Sequence, residues 1–419
     1  MGFQQGLSGL NAASRNLEVI GNNIANANTH GAKVARAEFA DVYANAIGGS
    51  NTAVGIGTTV AAVAQQFTQG NISTTDNPLD IAINGNGFFE VSSPAGAISY
   101  TRNGEWKVDN AGFIVNNQQQ RLMGYPADAT GTIIPGAASA LQMPTGGITP
   151  ATTSRVTMEM NLDSRLAVTL SSAGAPIDFA DPSTYNNATS QTVYDARGQD
   201  VSLTYYFQRA GADTWNVYVA ANGVPIATAG GNPAASTQIT FPANGGTPTA
   251  PVGTVAINIP SVTNSAGATT APIAGIALDV SGATSYGSQF GVTDLSQDGY
   301  ASGQLIGVQF ESNGIINARY SNGQTRPAGQ LELATFRNPQ GLQPMGGNAW
   351  TGSFASGDPI VGTPGQGNLG LVKAGALEES NVDLTAQLVE MITAQRVYQA
   401  NAQTSKTQDQ ILQTVVNLK

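Results

Sequence analysis

The stretch FQQGLSGLNAASRNLEVIGNNI, residues 3–24, sets Phe3, Leu7, Leu10, Ser14, Leu17, Gly21 and Ile24 alternately four and three residues apart. That spacing lays them along one seam of an α-helix. A second stretch, LTAQLVEMITAQRVYQANAQTSKTQDQILQTVV at residues 384–416, repeats the pattern. Its stripe runs through Leu384, Leu388, Met391, Gln395, Tyr398, Ala402, Ser405, Asp409, Leu412 and Val416, and Val389, Ile392, Val397, Ile411 and Val415 widen the apolar face. Matching stripes at opposite ends of the chain predict two helices that pair with each other. The first is expected over Gln4–Asn28, with Gly31 as its stop.

Between the helices the texture is different. Residues 32–75 carry mixed signals, Val54-Gly55-Ile56-Gly57 among them, and read as an extended connector or hairpin. From Asp76 onward, short apolar strands alternate with turn pairs: Ile81-Ala82-Ile83 then Asn84-Gly85, Phe88 to Val91, Tyr100-Thr101 then Asn103-Gly104. Asn-Gly pairs favour hairpin turns that need positive φ, so the block reads as antiparallel β. A second β block starts near Thr145 with Val193-Tyr194-Asp195, Val201 to Phe207 and Trp215 to Val219. Its tail, residues 229–270, is so rich in Gly, Pro, Thr and Ala that surface loops are expected there. From Gly287 the first style returns, with Leu305 to Val308, Ser312-Asn313-Gly314 and Ser321-Asn322-Gly323.

The predicted fold class is segregated α+β: paired, coiled-coil-like terminal helices plus two β-rich domains, the second inserted in the first. The expected boundaries are 1–75 with 365–419 for the helical assembly domain and its connector, 76–144 with 285–364 for a discontinuous first β domain, and 145–284 for the insert.

Composition excludes several function classes. The chain has 419 residues, 41% of them hydrophobic, which is enough to bury real cores. Its 50 glycines imply many tight turns. The net charge is -10, and no lysine occurs between Lys107 and Lys373, so no basic stripe is available for phosphates and nucleic acid is not an expected partner. No apolar run is long enough to span a bilayer, so membrane insertion is not expected, and no cleavable signal segment is evident. Gly2 does not open a myristoylation motif, because Gly6 stands where Ser or Thr is required.

With no cysteine and a single histidine, His30, disulfides, thiolate sites and multi-histidine metal sites drop out, and neither a metal nor a cofactor is expected. Carboxylate pairs such as Asp76 with Asp80, or Asp195 with Asp200, could serve a hydrolase as acid and base. In Gly- and Asn-rich contexts, however, Asp ordinarily closes turns through its own backbone. His30 reads as a helix-end cation or a loop residue. Gly85-Asn86-Gly87 is not a nucleotide fingerprint, since its third glycine would fall at Glu90 and no helix follows. No catalytic site is expected.

Residues 1–30 hold only Arg15 and Glu18 as charges, so the first helix looks built to be covered by other helices. Helix pattern alone leaves a self-closing monomer and a polymer both open.

The motif Gly21-Asn22-Asn23-Ile24-Ala25-Asn26-Ala27-Asn28-Thr29-His30-Gly31-Ala32-Lys33 resembles the signature of bacterial flagellar rod, hook and hook-associated axial proteins. Leu79 to Phe89 is similar to the first β motif of that family, and Glu378 to Leu384, Leu388 to Ile392 and Gln395 to Asn401 are similar to its terminal helix. Tyr320 to Gln324, Phe336 to Leu342 and Lys406 to Leu412 most resemble the hook members, and the presence of the insert points the same way, since distal rod proteins of the family are shorter and lack one. The resemblance implies a structural subunit of a short curved tube, a universal joint that passes motor torque from rod to filament. A distal rod or hook-associated junction protein is the alternative, and a secreted carboxylate hydrolase a distant third.

The resemblance further implies partners: the chain itself as a homopolymer, the distal rod protein, a hook cap, hook–filament junction proteins and the type III export apparatus. It implies an extracellular location in the flagellum, reached without signal cleavage, with the helices lining the inner channel and the insert outermost. The assembly interface is then expected at Phe3, Leu7, Leu10, Leu17, Ile24, Leu384, Leu388, Met391, Ile392, Tyr398, Ile411, Leu412 and Val415, with Asn22, Asn23, Ile24, Ala25, Asn26, Asn28, Thr29 and Gly31 as the motif. The cysteine–lysine cross-link of some members is chemically closed to a chain without cysteine.

Overall fold

The computed structural model describes residues 2–42, 55, 57–169 and 177–417. Two helices and a β-rich body make it an α+β protein, divided into two compact units: residues 1–145, 307–319 and 325–419, and residues 146–306 with 320–324.

In the first unit, helix α1 (Gly2–Ala25) and helix α2 (Leu384–Asn417) pack together. Asp383 caps α2, its Oδ1 accepting from the N–H of Thr385 at 2.9 Å and of Ala386 at 3.1 Å. α1 ends three residues before the expected Asn28, as Asn26 turns its N–H back onto the carbonyls of Asn22 and Asn23 at 3.1 and 3.2 Å. Gly31 is therefore not the helix stop but the end of the loop that follows. At φ +72° it lies where a Cβ would come within 2.5 Å of Asn103 N.

The connector is a hairpin: strand β1 (Ala35–Val42) pairs antiparallel with strand β2 (Gly57–Gln65) against α1. Val54 and Ile56 lie outside the described residues.

The body of this unit is a largely antiparallel sheet whose path runs Thr325–Leu331, Arg121–Pro126, Phe88–Ser92, Ile98–Thr101 and Ala349–Thr351. Phe89, Trp106, Ile114, Leu122, Leu141, Leu331 and Leu333 fill its core. Two expected hairpins are absent. Strand Ile81–Asn84 pairs with Leu371–Ala374 rather than with the strand after Asn84-Gly85, and Ile98–Thr101 pairs with Phe88–Ser92 and Ala349–Thr351 rather than across Asn103-Gly104. Gly104 instead permits close passage, since a Cβ there would sit 1.6 Å from Ile81 O.

The second unit packs two sheets around one core. One sheet orders Val255–Ile259, Ile273–Asp279, Arg155–Asn161 and Gly291–Gln297; the other is built on Asn187–Tyr194, Asp200–Arg209, Thr214–Ala221 and Thr237–Thr240. Alternation along Asp200–Arg209 turns Val201, Leu203, Tyr205 and Phe207 inward against Met158, Trp215 and Leu278.

Two expectations change here. This unit extends to Ile306 rather than ending at Thr284, because Gly291–Gln297 returns to pair antiparallel with Arg155–Asn161. The Gly- and Thr-rich tail is not all surface loop either, since Ile239, Phe241, Ile257, Ile259 and Val262 are buried in the core.

Candidate assembly interface

The helices run antiparallel, as three contacts along their length show. A Cβ on Gly6 would meet Ser405 Oγ at 2.6 Å, one on Gly9 would meet the Asn401 side chain at 2.7 Å, and Asn23 Nδ2 donates to Gln387 Oε1 at 2.9 Å. Glycines at 6 and 9 and the buried Ala12 and Ala13 thin the facing side of α1, so the backbones approach closely.

The face of α2 that meets α1 follows the expected stripe only in part, at Met391 and Ser405. It carries Gln387, Met391, Ala394, Asn401 and Ser405, of which Gln387 and Ala394 are buried and the others partly so. Ser405 and Asn401 sit where Gly6 and Gly9 leave room for them.

The large apolar side chains of α2 consequently point outward. Leu384, Leu388, Val389, Ile392, Val397, Tyr398, Ile411 and Leu412 are all exposed, Ile392 by 53% and Leu412 by 56%. On α1, Leu7 is exposed at 47%, while Leu10, Leu17 and Ile24 are half-buried. The side chains of Phe3 and Val415 lie outside the described ones. An exposed apolar row of this extent on a folded chain makes this face the candidate surface for another protein.

The motif at the end of α1 ties three elements together. Asn23 is buried, and its amide also donates to Ala35 O at 2.8 Å and accepts from Ala35 N at 2.9 Å, so one side chain joins α1, β1 and α2. Asn22, Ala25 and Asn28 are exposed, with Ile24, Asn26 and Thr29 half-buried and Thr29 N–H bonded to Asn26 O at 3.1 Å.

Beneath the helices lies a cluster that the sequence reading did not assign. The Glu378 carboxylate, fully buried, takes Lys33 Nζ at 2.5 Å, Arg102 Nη1 at 2.9 Å and Gly70 N–H at 2.9 Å. Lys33 Nζ also reaches Thr68 O at 2.7 Å, and Arg102 Nη2 reaches Gly85 O at 2.8 Å. Burial lowers the pKa of both Lys33 and Arg102, and Glu378 opposes that shift. Three residues on, Asn381 Oδ1 accepts from Val34 N at 2.7 Å while its Nδ2 donates to Gln66 O at 2.8 Å. The root of α2 is thus tied to both flanks of the hairpin. The available signal was charge scarcity: Lys33 is one of five lysines, directly following the motif.

One member of each candidate carboxylate pair is engaged structurally. Asp80 accepts from Thr75 Oγ1 and Asn77 Nδ2, both at 2.8 Å, and Asp195 accepts from the N–H groups of Arg197, Gln199 and Ala271. His30 is a loop residue whose carbonyl accepts from Asn348 Nδ2 at 2.9 Å. Among the described residues no group of three or more His, Cys, Asp or Glu could hold a metal ion, and no helix is long and apolar enough to cross a membrane.

Comparison with known proteins agrees along the whole chain. Residues 3–33 match the flagella basal body rod protein family, 82–161 the flagellar hook protein FlgE/F/G D1 domain, 161–300 the flagellar basal body protein FlaE D2 domain, and 373–418 the flagellar basal body rod FlgEFG protein C-terminal family. The chain is 40% identical over 424 residues to flagellar hook protein FlgE of Salmonella typhimurium, with 100% of each covered, and 39% identical over 421 residues to that of Escherichia coli, again with 100% of each covered. It is 34% identical to that of Rhizobium meliloti over 100% of this chain and 98% of that one. The crystal structure of Helicobacter pylori flagellar hook protein FlgE2 shares the fold at a TM-score of 0.54, with 14% identity over 73% of this chain and 100% of that one. The chain belongs to the flagellar hook protein family.

Proposed function

We infer that this chain is the repeating structural subunit of a flagellar hook, a helical tube of many copies located outside the cell. The observation that carries the reading is the division of labour on α2. Its inward face closes the subunit with small and polar groups, and its outward face keeps Leu384, Leu388, Ile392, Ile411 and Leu412 exposed. A surface on one copy that fits a different surface on the next, without closing a ring, generates an open filament.

On this reading, continuous apolar burial of the helices around the channel holds the tube together. Lower-specificity contacts elsewhere let neighbours shift as the tube bends while it carries torque, and the terminal helices gain their full stability only in the polymer. The subunit is exported unfolded by the type III apparatus without signal cleavage. It adds at the distal end beneath a cap, and meets the distal rod protein at one end and junction proteins at the other. Its role is mechanical rather than catalytic.

The test is electron microscopy and sedimentation of the purified chain under polymerising conditions. Curved tubes are expected from the wild type and monomers from Leu388→Asp and Ile392→Asp, whose melting temperatures match the wild type because both side chains are exposed in the subunit. Short closed cylinders from the wild type would point to a junction protein instead, and tubes from both variants at normal yield would refute the assigned surface.

A further inference from the structure

Phe354 is 105% exposed at the tip of a loop between strands Ala349–Thr351 and Ile360–Gly362. The loop is fixed rather than loose. Ser353 N–H donates to Ser356 Oγ at 2.9 Å, Ser353 Oγ–H donates to Gly341 O at 2.6 Å, Ser356 N–H donates to Ser353 O at 3.1 Å, and Asn338 Nδ2 donates to Ala355 O at 3.0 Å. Ser356 is buried, and Gly341 passes so close that a Cβ there would lie 2.4 Å from Ser356 N. A rigid frame therefore holds an aromatic ring in water, where any polar residue would have closed the same turn at less cost in solvation.

The segment that carries the ring is unusual in composition. From Asn338 to Gly357 the chain holds no Asp, Glu, Lys, Arg or His, and Met345 in the same stretch is 61% exposed. Depletion of charge with aromatic and Met side chains on show is the composition of an interface centre. Two copies of a chain of net charge -10 repel overall, and an uncharged segment, here bounded by Arg337 and Asp358, is where they can touch without like charges opposed.

We propose that Phe354 is an anchor residue for contact with a second copy of this chain, its ring entering an apolar site on the neighbouring subunit. The proposal rests on the polymer reading above and adds a contact separate from the helices.

The experiment measures the monomer concentration left in equilibrium with polymer for the full chain, together with the melting temperature of unassembled subunits. Phe354→Asp is expected to raise that concentration at least tenfold and Phe354→Ala severalfold, with Phe354→Leu close to wild type and all melting temperatures unchanged. Val252→Asp, which adds the same charge at a site 95% exposed, is expected to leave it unchanged. Wild-type behaviour of Phe354→Asp, an equal rise for Val252→Asp, or a lowered melting temperature for Phe354→Asp would overturn the proposal while leaving the polymer reading intact. A wild-type chain that never polymerises would overturn both.

Discussion

Asn23 and Gln387 share a buried hydrogen bond, Nδ2 to Oε1 at 2.9 Å, although they lie 364 residues apart in the chain. Since Asn23 also exchanges two bonds with the backbone of Ala35, its amide fixes the mutual placement of both helices and the hairpin. Asn23→Ala would leave the Ala35 N–H and C=O and the Gln387 amide without these partners in a buried place, at a cost of about 1–3 kcal/mol. Urea unfolding should show that loss, and limited proteolysis should show faster cleavage within residues 35–65.

Glu378 offers a larger effect. It pairs with both Lys33 and Arg102 with its side chain fully buried, so Glu378→Ala strands two cations beside each other out of water. Breaking a buried pair in this way costs about 3–5 kcal/mol. Calorimetry on the monomer should record a correspondingly lower melting temperature for Glu378→Ala. Glu378→Gln should recover little of it, because the shape returns without the charge.

The pairing of the terminal helices was legible because each carries a heptad-like pattern over many turns, and the β nature of the middle was legible in its turn pairs. Which face of α2 meets α1 was legible only in part, at Met391 and Ser405. A stripe rich in Leu388 and Ile392 looks like a core, and one sequence does not separate burial within a copy from burial between copies. The seam that forms was instead encoded by absence, in Gly6 and Gly9, whose missing side chains admit Ser405 and Asn401. Long-range strand partners were equally hidden. Nothing local to Ile81–Asn84 points to Leu371–Ala374, and nothing local to Gly291–Gln297 assigns it to Arg155–Asn161. Of the motif, Gly31 was read as a helix stop rather than as a loop residue packed on Arg102 and Asn103, and the Glu378 cluster beneath it went unassigned because its members lie in three distant segments.

A pH dependence follows from Glu90, which burial and the nearby Glu332 raise from 4.5 to about 7. Burial also raises Glu332, opposed by the hydrogen bond from Tyr125 Oη at 2.9 Å, while Tyr100 and Tyr125 are each pushed up to about 12 and stay neutral. The folded chain thus holds a proton on Glu90 that the unfolded chain releases. Stability from this group is complete below about pH 4.5 and is lost progressively as pH rises to about 7. Melting temperatures measured across that window should fall with rising pH, and Glu90→Gln should flatten the dependence. An unchanged slope in Glu90→Gln would assign it to other groups.

Gly31 gives the last prediction, because two separate constraints act on one atom that is not there. Its φ of +72° disfavours any L side chain, by about 1–2 kcal/mol for Ala. The missing Cβ would in addition lie 2.5 Å from Asn103 N and 2.7 Å from the Arg102 carbonyl carbon, backbone atoms that cannot rotate aside. Moving them would disturb Arg102 at its bond to Glu378, and the Gly31 N–H bond to Glu378 O at 2.8 Å would shift as well. Gly31→Ala should therefore lower stability by more than the conformational penalty alone. It should also be non-additive with Glu378→Ala in a double-mutant cycle read by urea unfolding, since both changes act on one cluster. Simple addition of the two losses would show that the loop and the ion cluster are independent.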